Sequence, residues 1–435
     1  MPSKSDFNQR TLHFIPKDYL PADTGISVHD TLRLIAHCPF KDKLYALLDV
    51  EAIKDDFIAI AGASMLVNAV DAEGNRFLKV DVTSDYLDLA FADNPVDKAV
   101  DITFNDLSTV TFPNNDFDSY SHVLEEGTIS AVPVYAAKST FFSELHSLSN
   151  YANDLLKSKH GFLVLKNLEW LREIFKNEED RHICKYRLLK DGEAYFLRGI
   201  VSNRYVDYNL AVSVFIALVA LHKNSQQTGD RYIISLCEYS ESHLRVFFEK
   251  VGTKKIGNTC RVKHLIQLSN DELKREALKF TGVASIEYQS GQETREIYLA
   301  PRDIGFSIAS IFHSYSPKRA IERLELANNI TQIEQKLYDD IAFINDIKEP
   351  DQIRHLLQRR VNEDTNLKPF ITGEIAQELD NDITTIHQLF DIMYKLDVVV
   401  ADIDAKEYLR YLLYNLLKEE KTRRDTEKSK SKGKK

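Results

Sequence analysis

LAVSVFIALVALHK, residues 210–223, is apolar on nearly every side, and five runs follow it: RYIISLCEY (231–239), HLRVFFEKV (243–251), RVKHLIQL (261–268), ASIEYQ (284–289) and REIYLAP (295–301). A helix that is hydrophobic around its whole circumference has to be buried. The runs after it have strand character, and a short Ser/Glu turn separates the first two. An antiparallel sheet laid against that central helix is the simplest packing, and it makes the fold class α+β. EAYFLRGIVSN (193–203) adds a strand before the helix, and Asp207 or Asn209 can supply its N-cap.

Outward from this centre the chain divides into four stretches. Residues 1–137 read as an acidic, β-rich region, in which FIAIAGASMLVNAV (57–70) and DAEGNRFLKVDV (71–82) predict a hairpin turning at 72–75. Residues 138–316 form an α+β central domain. It opens with amphipathic helices over 142–157 and 165–177, carrying Leu145, Leu148, Tyr151 and Leu155 on one and Leu168, Leu171 and Ile174 on the other. Residues 317–420 read as helical, starting at Pro317. Leu326, Ile330, Ile333, Leu337, Ile341 and Ile344 recur there at steps of three and four, a seam for burial in a bundle or for pairing with another copy. Further helices are predicted at 350–361, 371–396 and 405–424. Residues 421–435, KTRRDTEKSKSKGKK, lack apolar side chains and predict a disordered basic tail.

Composition narrows the function classes. With 435 residues, 43% of them hydrophobic and 28% charged, the chain can bury a large core without disulfide or metal staples. No apolar run reaches the roughly 18 residues of a membrane span, and MPSKSDFNQR is not followed by a signal-peptide core, so a cytoplasmic, membrane-free protein is expected. Cys38, Cys184, Cys237 and Cys260 are far apart and form no CxxC pair, which predicts inert thiols rather than a disulfide framework or zinc site. The net charge of −10 is unevenly spread: residues 1–130 hold 22 acidic and 10 basic side chains, whereas 421–435 hold eight basic and two acidic. The tail is therefore available to phosphates or to an acidic surface.

Chemical motifs are sparse. There is no GxxxxGK[ST] and no GxGxxG opening a helix, so no nucleotide cofactor is implied. Gly62-Ala63-Ser64-Met65-Leu66 lacks the second glycine of a nucleophile elbow, and His182 beside Cys184 has no third metal ligand within reach. No catalytic residue, metal ligand or cofactor is assigned. Glu272-Leu273-Lys274 matches the ExK half of a metal-dependent nuclease, but SNDELKREALKF (269–280) reads as a capped, solvated helix.

RGIVSNRYVDYN (198–209) is the most unusual string, placing Arg198, Arg204, Tyr205 and Tyr208 just before the buried helix. Basic groups hold phosphates and aromatic rings stack on bases. The alternative is that the arginines pair with Asp207 or Glu193 while the tyrosines edge the core. The spacing of Arg198, Ser202, Arg204, Tyr205 and Asn209, followed by Leu244-Arg245-Val246 and Ser269-Asn270-Asp271-Glu272, resembles a family of uncharacterised phage- and plasmid-borne proteins over about residues 195–275. That family usually has a small residue and glycine where this chain has Leu273-Lys274. The resemblance implies a mobile-element protein found near replication and recombination genes.

These readings lead to a non-enzymatic nucleic-acid-associated protein. Arg198, Arg204, Tyr205 and Arg245 are its expected contacts in the central domain, and Lys428, Lys430, Lys432, Lys434 and Lys435 add salt-sensitive affinity from the tail. A second reading is an assembly, defence or anti-defence subunit that docks or self-associates through the seam from Leu326 to Ile344. A third is a nuclease using Glu272 and Lys274.

Overall fold

Gly62 sets the first departure from the sequence reading. It holds a left-handed conformation (φ 88°) at an N-cap, and the apolar run after it turns into a helix instead of a strand. Ala63, Leu66, Val67 and Val70 are buried at helical spacing, so the 57–82 hairpin is replaced by strand, helix and strand. Ser64 lies in the first helical turn, its hydroxyl donating to the Thr24 carbonyl at 3.0 Å.

The computed structural model describes residues 10–13, 24–113, 120–134, 137–143, 148–177, 182–256, 260–273, 276–324 and 330–432. In chain order the elements are β1 (Arg10–His13), β2 (Ile26–Ser27), α1 (Val28–Thr31), α2 (Lys41–Leu47), β3 (Phe57–Ile58), α3 (Ala63–Gly74), β4 (Leu78–Asp85), β5 (Leu89–Asn94), β6 (Ala99–Phe104) and β7 (Ile129–Pro133). Then come α4 (Ala137–Ser143), α5 (Ser149–Lys157), α6 (Gly161–Phe175), β8 (Ile183–Asp191), β9 (Ala194–Ser202), α7 (Leu210–Thr228), β10 (Tyr232–Tyr239), β11 (His243–Ile256), β12 (Cys260–Asp271), β13 (Leu278–Ser290), β14 (Glu293–Leu299) and β15 (Ser307–Ile311). The last third holds α8 (Pro317–Glu322), α9 (Ile330–Ile341), α10 (Pro350–Glu363), α11 (Gly373–Asp380), α12 (Ile386–Val399) and α13 (Ile403–Lys432). The class is α+β.

Two sheets organise these elements. One runs β4-β8-β9-β7-β6-β5, antiparallel except for the parallel β7–β9 pair. Helices α4, α5 and α6 share its core with Val80, Ile102, Phe104 and Leu197. The other runs β1-β10-β11-β12-β13-β14, with β15 beside β13, and all its pairings are antiparallel. The central helix α7 is capped by Asn209, whose side chain accepts from the Val212 N–H at 2.8 Å, and it packs with this second sheet as the sequence predicts. Ile26 to Val70 join that same core, as do the C-terminal helices. The two cores therefore do not follow the divisions at 137 and 316.

The seam from Leu326 to Ile344 turns inward. Ile330, Ile333, Leu337, Ile341 and Ile344 are all buried within the chain, and Ile333 lies against Gly282 of β13. Such side chains offer no surface to a second copy, so self-association through them is corrected; Leu326 lies outside the described residues. The helix predicted over 371–396 is broken into α11 and α12, with Thr385 and Gln388 forming a capping box at the restart. Leu145 lies outside the described residues, and Tyr151 and Ile174 point outward, as does Trp170. The basic tail is not disordered through Lys432: α13 continues that far, Lys and Arg being good helix formers and Glu420 pairing with Arg423 one turn on.

Candidate nucleic-acid interface

Segments 198–210 and 270–272 meet at one junction, where β4, β8 and β9 approach the end of β12 and the start of α7. Glu272 is fully buried there. Its carboxylate accepts from Lys79 Nζ at 2.7 and 2.9 Å, from Arg198 Nη1 at 3.0 Å and from the Leu210 N–H at 3.0 Å. Its carbonyl accepts from Arg187 Nη1 at 2.6 Å and from the Tyr205 hydroxyl at 2.8 Å. Asn270 Nδ2 donates to the Tyr208 carbonyl at 2.6 Å, and Arg187 also bonds Asp81 and Asp207. Three cations (Lys79, Arg187, Arg198) thus meet four carboxylates (Asp81, Asp207, Glu241, Glu272). Burial alone would raise Glu272, but Lys79, Arg198 and Arg187 outweigh it and hold the carboxyl down at about 2. Burial pushes Asp81 up, with Asp207 adding to the shift against Arg187, the direction that relieves the surplus negative charge.

This arrangement corrects two expectations. Arg198 does not face phosphate: it is 1% exposed and bonded to Glu241 and Glu272, because its partners arrive from 43 and 74 residues away. Glu272 is not on a solvated helix either, since Ser269–Asp271 finish β12 and Glu272 is enclosed by cations where a nuclease metal would sit; Lys274 lies outside the described residues.

Beyond the junction, the second sheet has a polar face. Arg245, Ser269, Lys279 and Ser310 stand in register across four strands, with Gln267, Thr281 and Ser307 in the next row. Residues 300–304 and Asp404 and Glu407 of α13 wall this face into a cleft of about 690 Å³. Most of its charges are paired. Arg245, another expected phosphate contact, is 2% exposed and held by Glu276 at 2.6 Å, Glu407 at 2.7 Å and Asp404 at 3.5 Å. Burial would lower Arg245, but those carboxylates push it above its ordinary value, and Arg245 in turn holds Glu407 down against burial. His243 Nε2 lies 2.6 Å from Asp271 Oδ2. By contrast, the side chains of Gln267, Thr281, Ser307 and Ser310 find no hydrogen-bond partner among the described residues, although Gln267 is only 3% exposed. Arg302 makes no ion pair within 4.0 Å among them, although its charge helps hold Glu407 down, and it lies over the Tyr408 and Tyr411 rings at 5.3 and 5.0 Å.

A basic and aromatic rim borders the cleft. The Val206 N–H donates to the His313 carbonyl at 2.7 Å, the Tyr205 and His313 rings stack at 4.7 Å, and the Tyr208 hydroxyl donates to the Tyr315 carbonyl at 2.9 Å. These contacts join the loop carrying Arg204 to FHSYSPKR (312–319). Arg204 is exposed, as are Phe312, Lys318, Arg319 and Arg323, and Arg319 lies 4.0 Å over the Tyr315 ring. Tyr205 is buried, so it forms the floor of an annex of about 230 Å³ and is not a free stacking platform. Glu276 and Phe312 line both annex and cleft, making the surface continuous.

Of the predicted contacts that are described, Arg204 stands exposed on this rim and has no carboxylate partner among the described residues. Lys428, Lys430 and Lys432 lie on the last turns of α13, and Lys434 and Lys435 lie outside the described residues. Phe312, Lys318, Arg319 and Arg323 were missed, although 312–319 shows the same interleaving of aromatic and basic residues that singled out 198–209. Elsewhere, Asp351, His355 and Asp382 come within metal-ligand reach of one another, but Arg354 bonds both aspartates and already supplies the cation. Cys38, Cys184, Cys237 and Cys260 form no disulfide among the described residues, and burial pushes the Cys38 thiol up to about 12, which disfavours its thiolate. Among the described residues no helix is long and apolar enough to cross a membrane. No protein-family model, curated protein or solved structure matches the chain.

Proposed function

We propose that the chain binds single-stranded nucleic acid along the rim formed by residues 204 and 312–323. One observation carries this reading: Arg204, Phe312, Lys318, Arg319 and Arg323 are all exposed on two neighbouring segments that contacts of Tyr205, Val206, Tyr208 and His313 join, with Glu322 the acid among them, 4.0 Å from Lys318. Cations spaced along a surface follow a phosphate backbone, and an exposed ring offers its face to an unpaired base. The acidic residues of the first 130 positions work against adhesion elsewhere.

The experiment is fluorescence anisotropy with labelled single- and double-stranded DNA and RNA at low and physiological salt. Phe312→Ala is expected to weaken single-strand binding by about 1–3 kcal/mol. Arg204→Ala and Arg319→Ala are each expected to lower the salt slope by about 0.7. Binding that is indifferent to all three substitutions, or no binding at low salt, refutes the proposal.

A further inference from the structure

We infer that the cleft beside the rim receives the terminal nucleoside of a strand and selects ends that carry a hydroxyl over ends that carry a phosphate. This rests on the reading of the rim as a strand-binding surface, and it follows from what the cleft leaves uncommitted. Gln267, Thr281, Ser307 and Ser310 form its floor, and their side chains have no hydrogen-bond partner among the described residues. An amide and three hydroxyls can each donate and accept, which matches sugar hydroxyls and the edge of a base.

The walls have the opposite chemistry. Asp271, Glu276, Asp303, Asp404 and Glu407 line the cleft against Arg245, Lys279 and Arg302, with His243 beside Asp271, and Arg245 is already enclosed by three of these carboxylates. A phosphate entering here would meet surplus negative charge at short range, whereas a neutral nucleoside would not. An internal nucleotide carries phosphate on both sides, so only the last nucleoside of an unphosphorylated end can enter. The next phosphate would then meet Arg302, which lines the cleft, makes no ion pair within 4.0 Å among the described residues and lies over the Tyr408 and Tyr411 rings. Phe312 lines both the cleft and the annex, so a strand leaving the cleft passes directly onto the rim.

The test compares one labelled oligonucleotide in five forms: both ends hydroxyl, 5′-phosphate, 3′-phosphate, both ends phosphorylated, and circular. Phosphate at the end that enters, and circularisation, are each expected to weaken binding by about fivefold, and the two singly phosphorylated arms identify that end. Ser310→Ala with Thr281→Val is expected to erase the preference without abolishing binding, and Gln267→Leu does the same if it folds. Equal binding of all five forms by a protein whose affinity still falls with Phe312→Ala overturns the end selection and leaves the rim reading standing. No binding of any form removes both.

Discussion

Replacing Glu272 and Lys79 together should cost clearly less than the two single replacements added up. Lys79 is 2% exposed, and Glu272 is its one carboxylate partner among the described residues. The single change Glu272→Leu therefore leaves a buried ammonium without an anion, leaves Arg198 with Glu241 alone and takes the acceptor from the Leu210 N–H. Removing one partner of a buried pair costs about 3–5 kcal/mol. The carboxyl gives a similar size: held at about 2 against an ordinary 4.5, it corresponds to about 3 kcal/mol. Because the folded value is depressed, this stability is complete above pH 4.5 and is lost as pH falls towards 2. Lys79→Met with Glu272→Leu removes both charges, and the pair is expected to cost about 2–3 kcal/mol less than its two singles combined. Urea unfolding followed by circular dichroism measures this. The single tryptophan, Trp170, is already 77% exposed, so its emission would report little. If the double variant loses as much as its singles together, the Lys79–Glu272 coupling is refuted.

Three other substitutions probe the larger core. Burial, reinforced by Lys254 and Lys250, holds His264 down at about 4, and neither ring nitrogen has a hydrogen-bond partner among the described residues. The unfolded chain therefore takes up the proton first, and stability should fall by up to about 3 kcal/mol as pH drops from 6.5 towards 4; in His264→Phe, urea midpoints should lose most of that slope, and an unchanged slope assigns it elsewhere. A methyl at Gly282 would stand 2.2 Å from Ile333 Cγ2, so Gly282→Ala should cost about 1–3 kcal/mol, and Ile333→Ala should cost less in that background than alone. Strict additivity of the two midpoints would mean that they do not touch.

Local chemistry was legible where one segment determines it. The apolar circumference of 210–223 fixed α7 as a buried helix, Asn209 announced its start, and the β-type runs from 231 onward became an antiparallel sheet. The misreadings share a cause: the deciding partner is remote. Arg198 and Arg245 look like phosphate ligands until Glu241, Glu272, Glu276, Asp404 and Glu407 are placed around them, the last from 162 residues away. Gly62 could have signalled the break before α3, but an apolar run alternating little in either period fits strand and helix alike. The cleft floor was invisible because Gln267, Thr281, Ser307 and Ser310 come from three strands and share a surface only through register.

Helix α13 begins at Ile403 and reaches Lys432, so a single rod carries two walls of the cleft at one end and the last lysines at the other. At 1.5 Å per residue, Glu407 and Lys428 are separated by about 32 Å along its axis. If a strand occupies the cleft as proposed, its phosphates reach the level of Lys428 only some way along the chain: at the 3.4 Å rise of a stacked helix that distance corresponds to about nine nucleotides. On the proposed reading the helix would thereby add a preference for length to the preference for an uncharged end.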